Sequence, residues 1–422
     1  MKQTVLTFIT PVDRARVEEL QGLLDRIQKN LPNDPDLPFA SLRLLHFASL
    51  VLFEDEEFGP YLVFENNFDG PLDAYLGELY RHARGGLHQI YRCCIGYSAA
   101  SAEDEKTMLA YLKAHVVRPS AYHIGNVGRS AERIRQEAAL REQLEQELDR
   151  MVSSGQAGAS PTSLREGIQS FARRHPEWPQ IADLQPRQTV AERALPWIKI
   201  AAVGIGALAL ARVAWRLLLP AAAVWVVVLR WKEQHDPSRF EPASHELVQR
   251  LTAREDNIVQ NHLASLIHVK PGPFRRATLR VVLWAANLLA RTATHGQLSG
   301  IPSIHFAHWA MIDNGRRLLF LSNYDGSWEN YLDDFIDKAS TGLTGIWSNT
   351  VGFPPTRFLV LAGARNGPWF KAWARNQQTY TAVWYSAYKN STVNIIDNNS
   401  AIREGLVLPL AGAAVKEWLR RF

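Results

Sequence analysis

The feature that most constrains this chain is that it reads the same way twice. Around residue 42 it runs LRLLHFASLVLFED, then PYLVFENNFDGPLDAYLGEL, then GGLHQIYRCCIGY. Around residue 301 it runs IPSIHFAHWAMID, then RRLLFLSNYDGSWENYLDDF, then TGLTGIWSNTVGF. His46-Phe47-Ala48 falls opposite His305-Phe306-Ala307, and Asn67-Phe68-Asp69-Gly70 opposite Asn323-Tyr324-Asp325-Gly326. Gly86-Leu87 matches Gly342-Leu343, Gly96-Tyr97 matches Gly352-Phe353, and Ser120-Ala121-Tyr122 is aligned with Ser386-Ala387-Tyr388. Ordered matches at near-constant spacing restrict the chain to two copies of one supersecondary unit. Its 422 residues suit two such domains and a connector.

Each copy has alternating strand and helix signals. In the first, 4–12 has strand character and 13–29 has helical spacing with Asp13 as N-cap. Segments 41–54 and 61–67 make a hairpin across an acidic turn at 55–59. A helix starts at Pro71, a residue suited to the first helical position, and another covers 102–115 before a strand at 121–127. In the second copy, strands at 262–269, 304–312 and 318–322 alternate with helices at 273–294 and 327–338. An extended piece at 357–362, a helix at 369–375 and a strand at 380–388 follow. The order βαββαβ predicts an α+β fold of two tandem ferredoxin-like repeats, whose sheets can pair into an α+β barrel.

This tandem arrangement resembles the dimeric α+β barrel superfamily, which includes dye-decolourising peroxidases, chlorite dismutases and small haem-degrading monooxygenases. The resemblance covers the two copies, about two-thirds of the chain. It implies a haem-binding, peroxidase-like oxidoreductase as one expectation. The peroxidases' GxxDG motif is absent: Asp69-Gly70 and Asp325-Gly326 keep the Asp-Gly pair without the leading glycine. No haem-ligating residue carries over.

Between the copies, a charge-alternating helix after Arg129 reads as solvated, and 153–163 has the Gly/Ser/Ala/Pro composition of a linker. From Trp197 to Trp231 the chain becomes apolar, with Lys199, Arg212 and Arg216 its only charges before Arg230. A spanning helix needs about 20 apolar residues, and a single span here would bury Arg212 and Arg216 at roughly 2.5–3.5 kcal/mol each. Two copies sharing one barrel must lie on one side of the bilayer. Basic flanks, with Trp197, Trp215, Trp225 and Trp231 as interfacial anchors, therefore predict a hydrophobic helical hairpin or in-plane pair. It would hold the protein to the cytoplasmic face of the inner or plasma membrane. The divisions are 1–128, 129–195, 196–232 and 233–422. The basic helix from Phe274, with Arg275, Arg276, Arg280 and Trp284, has a membrane-interface reading, although the repeat already requires a helix there.

The net charge of +5 suits anionic membrane surfaces as well as nucleic acid. The arginines are scattered, not gathered into an aromatic-interleaved stripe, so no nucleic-acid partner is expected. Two adjacent cysteines, Cys93 and Cys94, make neither a disulfide framework nor a four-ligand zinc site. With a strand-like N-terminal segment in place of a secretory leader, they point to a reducing cytoplasm.

Chemistry-bearing candidates are few. His305, repeated as His46, reads as a haem ligand or general base, or as a core histidine kept by the repeat, the favoured reading. Strand alternation sets His305 and His308 on opposite faces. Asp325, like Asp69, reads as a turn-forming helix cap or as a cavity carboxylate beside His305. Arg357 is a further catalytic candidate. Trp347 and Trp384, with Trp369, Trp373 and Tyr385, suit a flat apolar ligand or an ordinary core. The metal is unassigned and haem is the candidate cofactor; membrane lipids and a hydrophobic small molecule are the candidate partners, and self-association is open. Two functions follow: a membrane-associated barrel oxidoreductase binding haem or a hydrophobic substrate, or a non-catalytic membrane-surface module for lipid or partner.

Overall fold

A computed structural model describes residues 2–98, 104–154, 160–184, 189–255, 258–290, 298 and 300–422. The chain is mixed α and β with antiparallel sheets. It begins with β1 (Gln3–Pro11), α1 (Val17–Asn30), β2 (Leu45–Phe53), β3 (Tyr61–Asp69), α2 (Leu72–Tyr91), α3 (Glu105–Ala114), β4 (Val116–Val117) and β5 (Ala121–Ile124). Then come α4 (Ala131–Ser153), α5 (Pro161–Arg173), α6 (Trp178–Ala182), α7 (Val190–His235) and α8 (His245–Glu255). The second half runs β6 (Gln260–His268), α9 (Pro273–Ala290), β7 (Ile304–Ile312), β8 (Arg317–Asp325), α10 (Trp328–Lys338) and α11 (Ser340–Trp347). It ends with β9 (Thr356–Arg357), β10 (Leu361–Ala362), α12 (Gly367–Asn376), β11 (Gln378–Thr379), β12 (Val383–Ser386), α13 (Val393–Val407) and α14 (Ala413–Leu419).

Several pairings of the first half have counterparts in the second. Gln3 pairs with Asp69 across β1 and β3, as Gln260 pairs with Asp325 across β6 and β8. Val12 bridges Cys94, and Val269 bridges Thr350. Gly70 and Gly326, at φ 83° and 81°, both turn the chain out of the third long strand in a left-handed conformation suited to glycine. Stacked rings lock the following helix onto the strand: Phe68 on Tyr75 at 4.1 Å and Tyr324 on Tyr331 at 3.9 Å.

The strand order is β12-β2-β3-β1-β4 in one sheet and β11-β6-β8-β7-β5 in the other. The strand expected at 121–127 is β5, which crosses to β7 of the other half, and an unanticipated short strand before it, β4, stays with β1. Likewise β11 pairs with β6, and β12 crosses to β2. Pro119 lies in the first crossing, where a missing N–H favours a break in pairing. These pairings also correct the alignment. Ala121 opposes Trp309 and Val383 opposes Leu50, so Ala121–Ile124 corresponds to Val383–Ser386. Ser120-Ala121-Tyr122 does not correspond to Ser386-Ala387-Tyr388.

Alternation gives each sheet two buried faces. Leu6, Phe8, Ala48, Leu50, Leu62 and Phe64 join the core under α1 and α2, while Val51, Phe53 and Val63 meet Ala264, Ala310, Leu319 and Leu321 between the sheets.

The connector departs from expectation in two places. The charged helix α4 is not solvated: Ile134, Leu140, Leu144 and Met151 are buried, and Glu137 is engaged by Ser400 and Arg403 of α13. Its i, i+4 ion pairs conceal an apolar seam that only a partner helix makes necessary. Of the expected linker at 153–163, residues 155–159 lie outside those described, and α5 begins at Pro161 with Ser160 as its cap. The first residues of the helix expected at 102–115 and the last of that expected at 273–294 also lie outside them. The hydrophobic segment is not a hairpin but one 46-residue helix, α7, running through Pro196 and Pro220. A proline interrupts one intrahelical bond, and the Leu and Ala residues on both sides of Pro220 are strong helix formers.

Candidate functional site

The sequence singled out the bulged histidines, and the structure gives them a reason. In β2 and β7 the ladder slips between Leu45 and Phe47 and between Ile304 and Phe306, so His46 and His305 are the extra residues of two equivalent bulges. A bulge re-aims its side chain. His305 therefore turns toward the sheet–sheet interface, its ring 5.1 Å from that of Phe47. His308 also faces this interface, because its Nε2 is 2.9 Å from Thr7 Oγ1 of the other sheet. The expected opposite facing of His305 and His308 does not hold.

His46 lies 3.1 Å from Asp69 through Nε2 and 2.8 Å from the Tyr388 hydroxyl through Nδ1. Asp69 accepts from the N–H of Ala131, the first residue of α4, at 2.8 Å. In the second half, His305 Nε2 is 2.7 Å from Asp325, which accepts from the N–H of Val393, the first residue of α13, at 2.8 Å. Gln3 clasps the loop before α4 through the Asn126 and Arg129 carbonyls, and Gln260 clasps the loop before α13 through those of Tyr388 and Ser391. The aspartates each take the first N–H of the helix that follows an exchanged strand, beside those helices' own caps, Ser130 and Thr392. The helix after Gly326 takes Ser327 as its own cap. Burial, with Asp69 and Asp325 nearby, pushes the Tyr388 phenol well above its ordinary value.

These sites do not fit haem. His305 is 1% exposed, its Nε2 already meets Asp325 and Gln260, and its ring lies among Phe47 and Tyr388. An axial ligand needs one free ring nitrogen facing an open, flat space. The remaining candidates are not assembled around it. Arg357 is exposed on the two-residue strand β9. Trp347 is buried in the helix-side core with Phe320, Phe335, Phe370 and Trp373. Trp384 donates to Asn323 at 2.9 Å, next to a different polar group.

That group was not anticipated. Glu65, fully buried, lies between the sheets. Ser49 donates to its Oε2 at 3.0 Å and His262 Nε2 lies 2.9 Å from the same oxygen. Asn67 and Asn323 donate to Oε1 at 3.0 and 3.2 Å, and His308 Nδ1 is 3.6 Å away. Burial alone would raise the Glu65 carboxyl. The His262 hydrogen bond and charge, the His308 charge and the Asn67 bond outweigh it and hold the group at about 2. Burial lowers His308 to about 4, against the attraction of Glu65. The signal in the sequence was Glu65-Asn66-Asn67, three polar residues inside a strand with two buried faces. The set is chemically an acid with two imidazoles, but packed without room for a substrate. The opening beside His262, Thr381 and Trp384 is about 30 Å³, the space of roughly one water. Among the described residues no group of three or more metal-ligating side chains is arranged for an ion. Cys93 and Cys94 are free and buried, and burial pushes the Cys94 thiol up to about 12.

The most exposed apolar feature is α7. Val213 is 86% and Leu217 76% exposed, with Trp197, Trp215, Trp225 and Trp231 also open to solvent. Arg212 and Arg216 share one face, four residues apart. Among the described residues, its C-terminal end is the part fastened to the body. Leu229 is buried, and the Glu233 carboxylate accepts from the N–H groups of Phe358 and Leu359 at 3.0 and 2.7 Å. Thr356 and Arg230 bind the same carboxylate. In comparisons with known proteins, no family model, curated protein or solved structure matches this chain.

Proposed function

We propose that the chain is a non-catalytic membrane-surface module: two ferredoxin-like halves closed into an α+β barrel, held to the cytoplasmic face of a membrane by α7. The ferredoxin-like reading is supported by the order β4-β1-β3-β2 and its repeat β11-β6-β8-β7. Closure is supported by the reciprocal crossing of β5 and β12, which covers both open edges.

The single observation that carries the membrane reading is α7. A helix apolar on every side is stable only inside a large core or in lipid. Its two windows of spanning length, Arg193–Leu210 and Arg212–His235, are 0% and 6% buried in the protein. Its ends argue against a net crossing. α6 packs under α13, where Arg403 donates to the Ile181 carbonyl, and the far end of α7 is fastened by Glu233. Eight residue steps from Ala182 to Val190 reach at most about 29 Å, whereas α7 is about 69 Å long. The helix thus immerses lengthwise, with Arg212 and Arg216 snorkelling to headgroups and tryptophans at the interface.

Two single-cysteine reporters test this, Ser170→Cys on α5 and Ser244→Cys after α7, since Cys93 and Cys94 are buried. In sealed membranes an impermeant maleimide is expected to label both from the same side. Labelling from opposite sides overturns the in-plane anchor, and full-length protein that stays soluble in fractionated cells overturns membrane attachment.

A further inference from the structure

Where α7 ends, the chain borders a cleft of about 730 Å³, formed with the end of β6 and the face of α12. Arg239, Lys270, Arg276 and Arg316 line it against two carboxylates, Glu57 and Glu241, a formal +2 from these six side chains. Arg316 is paired with Glu57 at 2.9 Å. Lys270 is 8% exposed, and its ammonium donates to the Ser348 carbonyl at 3.0 Å. Its nearest carboxylate, Asp236 at 3.8 Å, is already held by Arg275 at 2.5 and 3.0 Å. Asp236 thus serves two buried cations, and Glu233, the other carboxylate acting on Lys270, is itself paired with Arg230. Burial, with Arg275 beside it, lowers Lys270 to about 8, the direction expected of an ammonium short of counter-charge. Trp369, Trp373 and Phe58 add apolar lining, Phe58 beneath the Arg316 guanidinium.

We infer that this cleft binds the phosphate of an anionic glycerophospholipid headgroup, with Lys270 and Arg239 on the phosphate and the two tryptophans along the glycerol and upper acyl chain. The lipid source rests on the membrane-anchor reading; the phosphate chemistry rests on the cleft alone. Arg239 lies four residues beyond the last residue of α7, where a basic pocket meets headgroups.

The test uses the full chain with vesicles of phosphatidylcholine alone or containing phosphatidylglycerol. The wild type is expected to bind the anionic vesicles about tenfold more tightly. Arg239→Ala and Lys270→Met are each expected to reduce that ratio while leaving binding to neutral vesicles unchanged. Arg239 is exposed, so its variant keeps the test valid if Lys270→Met fails to fold. Calorimetry with dispersed short-chain phosphatidylglycerol should show binding that both substitutions weaken, even if the chain binds no vesicle and the anchor reading falls. An unchanged vesicle ratio in Arg239→Ala overturns the inference. Binding of inorganic phosphate as tight as that of the short-chain lipid overturns the lipid assignment.

Discussion

Glu65 shows how one residue couples the two sheets. Its folded carboxyl lies near 2, below its unfolded value of about 4.5, so the stability it contributes is present above 4.5 and lost as pH falls toward 2. His308 lies near 4 in the folded protein against about 6.5 unfolded, so the unfolded chain takes up protons first as pH drops from 6.5 to 4. Both effects run in one direction. Denaturant titrations should show stability falling from pH 6.5 downward, with on the order of 3 kcal/mol of the loss above pH 4 attributable to His308. His308→Gln should flatten the limb between pH 6.5 and 4 and, because the His308 charge helps hold Glu65 down, move the lower limb to higher pH; an unaltered profile would contradict the burial assigned to that ring. The sequence marked this group only through Glu65-Asn66-Asn67, polar residues inside a strand. His262, His308 and Glu65 are distant in sequence, and only the packing of opposed sheets brings them together. The His46–Asp69 and His305–Asp325 pairs were closer to legible, since the repeat marked all four residues, but their targets, α4 and α13, were not.

At the scale of elements, the joint between α7 and the body depends on a two-strand hairpin with an unusual tip. Phe358 and Leu359 both take left-handed conformations, at φ 51° and 71°, which cost ordinary residues roughly 1–2 kcal/mol each. Glu233 offsets this by accepting both tip N–H groups while its side chain is 1% exposed. Glu233→Ala leaves those donors without their carboxylate, at about 1–3 kcal/mol. Limited proteolysis should then cut faster around residues 230–240 and 356–362, with the melting of the sheets little changed; equal cleavage rates would show that the carboxylate is no clamp. The long strands and α1, α2, α9, α10 and α12 were legible because their apolar residues recur at periods of two or 3.6. The division of 116–124 and 378–386 between sheets was not, since both parts of each run have the same strand character. α13 escaped notice because VNIIDNNSAIREGLV buries Asn399, Ser400 and Arg403 along with its apolar residues, which erases the pattern. The Trp197–Trp231 segment was legible as apolar, but Pro220 and two arginines read as a turn where the backbone continues.

At the scale of the whole molecule, neither half has a complete sheet of its own. The first lacks β12 and the second lacks β5, and α4 meets α13 across the junction. Fragments 1–184 and 189–422, each expressed alone, should therefore aggregate, whereas co-expressed in detergent they should purify as a one-to-one complex. A folded, monomeric 1–184 would show that the exchanged strand is dispensable. The interior polar group also discriminates between partners. Glu65 stands where the second half has Leu321, and His308 and His262 stand where the first has Ser49 and Val5. Two first halves joined face to face would bury a pair of carboxylates with no imidazole to answer them, and two second halves would bury imidazoles against leucine. Only unlike halves satisfy one another, so within a crowd of identical nascent chains each copy carries the password to its own completion.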